Sequence, residues 1–345
     1  MIKYPASYAR MRGLKGKLMG RNGLEDFLNT PDLQAALSVL TRSYYGENFQ
    51  DSTDLHQIEH GLKQDLIVSY IKILTFLRGS SGCFFQCMLS RFELLSLKSI
   101  VRWLAQKDSP EESPEPFIFS LGKYNTLHLE EALETEDLEA CVALMKDTPY
   151  ARALEIGYEQ YKEDGELFPI ELALDQDYYQ RLWRAMKSLG PVDQINVGRL
   201  LGIQYDITNL LWILRFKEYY GFSPEQIFQY TVPHGWKIKE DTFRMLAENE
   251  DVAKTINETQ IEPYTRVFQS AKQVDGNFVM GLDIALSRYL YRESRETLTK
   301  FHLQASVLVA FFLIKEMEIR DIITIISGRN LGLSQERIRS YLITL

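Results

Sequence analysis

Three stretches decide how this chain is read: IEHGLKQDL (Ile58–Leu66), IELALDQDY (Ile170–Tyr178) and LDIALSRYL (Leu282–Leu290). Each carries an acid, Glu59, Glu171 or Asp283, followed three residues later by Leu62, Leu174 or Leu286. The acids stand 112 residues apart in both steps. One unit is written three times.

A second series keeps the same period. ELLSLKSIVR opens at Glu93, DITNLLWILR at Asp206 and EIRDIITIIS at Glu318, at intervals of 113 and 112, and lies 34, 35 and 35 residues after the first acids. A third series runs LEDFLNTPDL from Leu24, LEEALETEDL from Leu129 and the weaker FRMLAENEDV from Phe243, with Tyr45, Tyr150 and Tyr264 some 20 residues on. Solenoid repeats run to roughly 50 residues at most, whereas a unit of this length is domain-sized. The expected organisation is three homologous helical units, 1–115, 116–227 and 228–345.

The pattern within the units is helical throughout. Tyr8, Met11, Leu14 and Leu18 fall at helical spacing, residues 31–45 and 55–77 repeat it, and Ile203, Ile207, Leu210, Leu211 and Leu214 form one broad apolar stripe. No run alternates in the manner of a strand. The fold class is therefore all-α. Gly221 and Gly332 read as helix stops, Ser223, Pro224 and Gln226 as a capping box with a first-turn proline, and Ser334 with Glu336 as the same signal in the last unit. DSPEESPEPF, from Asp108 to Phe117, is the most polar and proline-rich interval and marks the first boundary, with Ser109, Pro110 and Glu112 in the matching place. From each second-series acid to the glutamate beyond the break is 18, 19 and 18 residues, ending at Glu111, Glu225 and Glu336.

Composition excludes several classes. A net charge of −8 removes the attraction that supplies most non-specific nucleic-acid affinity, so no nucleic-acid partner is expected. Cys83, Cys87 and Cys141 are too few for a disulfide framework and fit a reducing cytoplasm. Cys83 and Cys87, one helical turn apart in CFFQC, read as small core side chains. The longest apolar run, Ala305–Ile314, is about half a membrane span, and the basic N-terminus (Lys3, Arg10, Arg12, Lys15, Lys17, Arg21) has no apolar core of the signal-peptide kind. That basic run is either a solvated face or a strip for an acidic partner or an anionic membrane.

The one catalytic-looking string is His56-Gln57-Ile58-Glu59-His60, HxxEH, which on a helix sets two imidazoles on one face with a glutamate as base. Glu59, however, is the first copy of the repeated acid, and neither Glu171 nor Asp283 has flanking histidines. No phosphate loop, dinucleotide fingerprint or nucleophile elbow is present. The expectation is no catalytic, cofactor or metal site. The six repeated acids, Glu59, Glu171, Asp283, Glu93, Asp206 and Glu318, read as structural groups, paired within their units; Arg102 and Arg215 each lie nine residues after a second-series acid.

With YARMRGL from Tyr8, the acid-x-x-Leu helices, YDITNLLWILRFKEYYG from Tyr205 and EIRDIITIISGRNLGLSQERIRSYL from Glu318 in view, the whole chain resembles the C subunit of the archaeal and bacterial A/V-type rotary ATPases, the family of the d subunit in eukaryotic V-ATPases. The first unit departs most: Ser96 stands where the others have Asn209 and Asp321, and CFFQC has no counterpart. The resemblance implies a funnel-like, pseudo-threefold helical protein that is not an enzyme. It implies a central-stalk rotor component between the D and F shaft subunits and the membrane proteolipid ring, peripheral on the cytoplasmic face and monomeric in isolation. The alternatives are a non-rotary helical adaptor and, behind it, an HxxEH zinc hydrolase.

Overall fold

A computed structural model of the chain describes residues 4–48, 54–106 and 117–345. The regular elements among them are helical, and the one extended pairing is an isolated bridge between Val274 and Asn277. Packing divides the chain into two compact units, 63–188 and 1–62 together with 189–345. The boundary expected at 115/116 lies outside the described residues, as do Ser109, Pro110, Glu111 and Glu112; the one at 227/228 falls within a short helix, Pro224–Gln229.

Unit 63–188 contains the second half of α4 (Leu55–Leu74), then α5 (Gly79–Ala105), the short α6 (Leu129–Leu133) and α7 (Leu138–Leu144), α8 (Ala151–Asp164) and α9 (Phe168–Lys187). Phe84, Phe85, Met88, Leu89, Leu97, Ile100 and Val101 bury α5 over a wide face. α9 packs on α5 and on α8. At the α8–α9 crossing a Cβ on Gly157 would stand 2.4 Å from the Ile170 Cα, so only glycine lets the two backbones approach.

The other unit holds α1 (Pro5–Lys15), α2 (Gly20–Leu28), α3 (Leu33–Arg42), α10 (Pro191–Arg215), α11 (Pro224–Gln229), α12 (Glu240–Glu248), α13 (Val252–Thr259), α14 (Tyr264–Ser270), α15 (Phe278–Lys300), α16 (Ala305–Asn330) and α17 (Gln335–Tyr341). Its centre is α16, against which α1, α2, α3, α10, α15 and α17 pack. This explains the run Ala305–Ile314: all ten side chains are buried by protein on every side, so the helix is apolar all round. No helix among the described residues is long and apolar enough to cross a membrane.

The punctuation acts as its chemistry demands. α10 continues through a π-turn, Phe216–Tyr220, and stops at Gly221 (φ 61°). Gly332 (φ 66°) ends α16 with Leu333 N–H on the Gly328 carbonyl and Gly332 N–H on Arg329, a Schellman closure. Ser223 and Gln226 form both halves of a capping box, and Ser334 caps α17 with Glu336 in its first turn. The N-terminal helix is shorter than its spacing predicts: α1 ends at Lys15, and Leu18 lies in the turn before α2. A glycine at 16 and another at 20, the latter with φ 64°, break the run there.

Candidate functional site

The second-series acids sit on the three long helices α5, α10 and α16, and each is buried: Glu93, Asp206 and Glu318 are 0%, 0% and 3% exposed. An ionised carboxylate at such a depth requires donors, and each receives two consecutive backbone N–H groups and a tyrosine hydroxyl. Asp206 accepts from Lys237 N–H (2.7 Å), Ile238 N–H (3.2 Å) and the Tyr264 hydroxyl (2.7 Å). Glu318 accepts from Met19 N–H and Gly20 N–H, both at 2.9 Å, and from the Tyr45 hydroxyl at 2.8 Å. Glu93 accepts from Thr126 N–H, Leu127 N–H (2.9 Å), the Thr126 hydroxyl (2.7 Å) and Tyr150 (3.3 Å), whose hydroxyl also approaches the Ser90 carbonyl at 3.1 Å.

A local device brings each tyrosine there. The third-series stretches contain Asp32, Asp137 and Asp251, and each N-caps a short helix by accepting, at 2.8 Å, from the backbone N–H three residues on. Thirteen residues past each cap come Tyr45, Tyr150 and Tyr264, all 0% exposed.

One turn beyond each buried acid the helix carries a second polar clamp. Ser96 Oγ accepts from Phe119 N–H (3.0 Å), and the Asn209 side chain exchanges two bonds with the backbone of Val232 (2.8 and 2.9 Å). Asp321 accepts from Ile343 N–H and Thr344 N–H, both at 2.8 Å, and from the Thr344 hydroxyl at 2.6 Å. Ser96, which looks like a departure in the sequence, holds a backbone amide 23 residues downstream as Asn209 does. In the third copy only the first clamp reaches far along the chain: Glu318 grips residues 19–20, while Asp321 grips residues 343–344 at much the same separation as in the other copies.

Burial raises the carboxyls of Glu318 and Asp321 above the usual range and lifts Asp206 to about 6, against the opposing pull of its amide and phenol donors. The Tyr150 and Tyr264 hydroxyls are pushed far upward, first by burial and then by the carboxylate beside each. The loop reaches Asp206 only because residue 235 is glycine: a Cβ there would stand 2.1 Å from Asp206 Oδ1.

The first-series acids are more open. Glu171 pairs with Arg102 and, at 3.8 Å, with Lys98, which also holds Asp175 at 2.9 Å. Asp283 lies 3.8 Å from Arg215 and 3.4 Å from Arg320. Arg102 and Arg215 thus reach the first-series acid of the following repeat, not their own. Glu59, on α4, is half-buried and engaged. Asp283, Arg215 and Arg320 line a cleft of about 580 Å³ whose rim carries the exposed Tyr219, Met280 and Leu331. A second cleft, of about 490 Å³, lies between α11 and α12 around His234, Lys239 and Phe243.

In the HxxEH string His56 is exposed, its backbone N–H held by Asp54 (2.9 Å), and His60 is half-buried. Among the described residues no three His, Cys, Asp or Glu side chains gather as metal ligands. Cys83 is exposed, contrary to the core role its spacing suggests, while burial pushes the Cys87 and Cys141 thiols up to about 11.

The family model described as ATP synthase (C/AC39) subunit matches residues 7–341. The A-type ATP synthase C subunit of Methanothermobacter thermautotrophicus is 26% identical over 92% of this chain and 82% of its own length. The protein of that name from Halorubrum lacusprofundi is 25% identical over 97% and 96%, and that from Methanocaldococcus jannaschii 22% over 100% and 87%. A match from the first helix to the last, carried through relatives in several archaea, shows that this chain belongs to the ATP synthase (C/AC39) subunit family.

Proposed function

We propose that the chain is a non-catalytic central-stalk component of an A/V-type rotary ATPase, coupling the D and F shaft subunits to the membrane proteolipid ring from the cytoplasmic face. In this reading three homologous units, 1–115, 116–227 and 228–345, stand in a pseudo-threefold, funnel-like arrangement. The six repeated acids hold those units in shape and meet no partner directly.

The observation that supports it is the triple recurrence of one buried lock, Glu93 with Tyr150, Asp206 with Tyr264 and Glu318 with Tyr45. A part that transmits torque must resist deformation and needs no reactive group. Each lock fixes a long helix to another segment by charge-assisted bonds, roughly twice as strong as neutral ones. The third secures the turn between α1 and α2 to α16.

Calorimetry of the purified chain with a recombinant D/F shaft tests this. Saturable one-to-one binding is expected. No binding to a shaft shown to be folded would replace the rotor with a helical adaptor for another partner.

A further inference from the structure

The chain is acidic overall, yet one face gathers cations without matching acids. On α1, the turn after it and the start of α2, Arg12, Lys17 and Arg21 are exposed and Lys15 is half-buried; on α15, packed in the same unit, Arg292 and Arg295 are exposed one turn apart. None of these six forms an ion pair among the described residues. Three acids on α2 and α15 pair with other cations, Glu25 with Arg339, Glu293 with Arg199 and Glu296 with Lys300, although Arg21 also acts on Glu25. By contrast, the exposed cations of α12 to α14, Arg244, Lys254 and Arg266, each have a glutamate one turn away.

α1 is a fixed part of the unit. Tyr4 donates to the buried Asp193 at 2.7 Å, the Tyr8 hydroxyl meets His302 Nδ1 at 3.2 Å, and Ser7, Met11 and Leu14 face inward. Partial burial and the charges of Arg12 and Arg295 lower the Lys15 pKa, as crowding of like charges does. The outward face of α1 carries Pro5, Ala6, Ala9 and Gly13 between the cations and no large apolar side chain. A stable protein interface needs a buried apolar or aromatic anchor at its centre, and this face has none. Neither the 580 Å³ cleft nor the 490 Å³ cleft is lined by these residues, so neither hollow shapes a single small anion for them.

We infer that the basic face of α1, flanked by Arg292 and Arg295, lies against anionic lipid headgroups, holding this end of the unit to a membrane surface by charge alone. A headgroup layer offers spread negative charge and demands neither a pocket nor an apolar anchor. Each cation near such a surface strengthens binding roughly fivefold, within a Debye length of about 10 Å at 0.1 M salt. The inference does not rest on shaft binding, and calorimetry with D/F leaves it untouched.

The test is co-sedimentation of the full chain with phosphatidylcholine vesicles, with and without phosphatidylglycerol, at low and high salt. Binding is expected only to the phosphatidylglycerol vesicles, with release by salt. The triple variant Arg12→Gln, Arg21→Gln, Arg292→Gln, which leaves Lys17 on the Tyr44 ring and whose thermal unfolding should match wild type, loses on the order of a hundredfold. The control triple Arg244→Gln, Lys254→Gln, Arg266→Gln, with the same change in net charge, keeps wild-type binding. Failure to bind anionic vesicles, equal losses in both triples, or salt-sensitive binding to polyglutamate without binding to vesicles would each overturn the inference.

Discussion

Tyr264 donates its phenolic hydrogen to Asp206 across 2.7 Å, at a place where neither side chain meets solvent. A hydrogen bond to a charged group contributes about 1.5–3 kcal/mol, and its loss here leaves a buried carboxylate one donor short. Tyr264→Phe should therefore cost about 2 kcal/mol in urea unfolding. Tyr45→Phe, with a bond of 2.8 Å, should cost a similar amount, and Tyr150→Phe less, because its hydroxyl is shared with the Ser90 carbonyl and stands 3.3 Å from Glu93. Negligible losses in all three would show that the packed rings, not the hydroxyls, hold the segments.

The same carboxyl fixes a pH dependence. Burial lifts Asp206 from an ordinary 3.8 to about 6, so between those values the folded chain holds a proton that the unfolded chain has lost. The contribution is fully present below the unfolded value and disappears as pH rises through about 6, a change on the order of 3 kcal/mol. Glu318 and Asp321, also raised, act with the same sign. Urea midpoints measured across this window should fall with rising pH, and Asp206→Asn, which carries no titrating group, should flatten the fall. An identical slope in the variant would mean that the amide and phenol donors already hold Asp206 ionised.

Gly235 makes the Asp206 lock sterically possible. With a Cβ placed 2.1 Å from Asp206 Oδ1 and 2.6 Å from the Ile238 carbonyl, Gly235→Ala must push the loop away, at a cost of about 1–3 kcal/mol. Hydrogen exchange locates the damage. The amides of Lys237 and Ile238, which bond to that carboxylate, should lose protection while the α16 core amides keep theirs. Unchanged protection at these two amides would show that the loop holds without the close approach.

The sequence is informative where the physics is local. Helix stops at Gly221 and Gly332 and the Ser223 capping box involve neighbours in the chain, so spacing alone names their partners. The period of 112 residues locates the second-series acids in the same way. Their partners are hidden, because nothing local shows that Glu318 bonds to residues 298 and 299 positions earlier, or that Arg102 prefers Glu171 to its own helix. The tyrosines are visible as a recurring position, but their role emerges only when the capped helices turn each hydroxyl inward. Cys83 misleads because helical spacing shows which residues share a face without showing whether that face is covered.

The Arg102–Glu171 pair offers a contrast with the buried locks. Arg102 is half exposed, and such pairs contribute no more than about 1 kcal/mol because water screens them and ordering the long side chain costs entropy. A double-mutant cycle with Arg102→Ala and Glu171→Ala should give a coupling energy of at most about 1 kcal/mol. A much larger value would mean that Lys98, shared with Asp175, binds the four charges into one cooperative cluster.

The C-terminal tail should matter through the buried carboxyl to which it donates as well as the surface it covers. Ending the chain after Leu342 removes two backbone donors and the Thr344 hydroxyl from Asp321, which is 0% exposed, together with the apolar burial of Ile343. Stripping the partners from a buried charge costs about 3–5 kcal/mol, whereas an alanine at the same place has nothing to lose. The truncation should therefore be severe in the wild-type chain and mild in Asp321→Ala, with the two changes coupled by at least about 2 kcal/mol. Urea unfolding of the two single variants and the double variant measures that coupling. Additive losses would mean that the tail acts as an apolar cover for the end of α16 and that Asp321 finds water once the tail is gone.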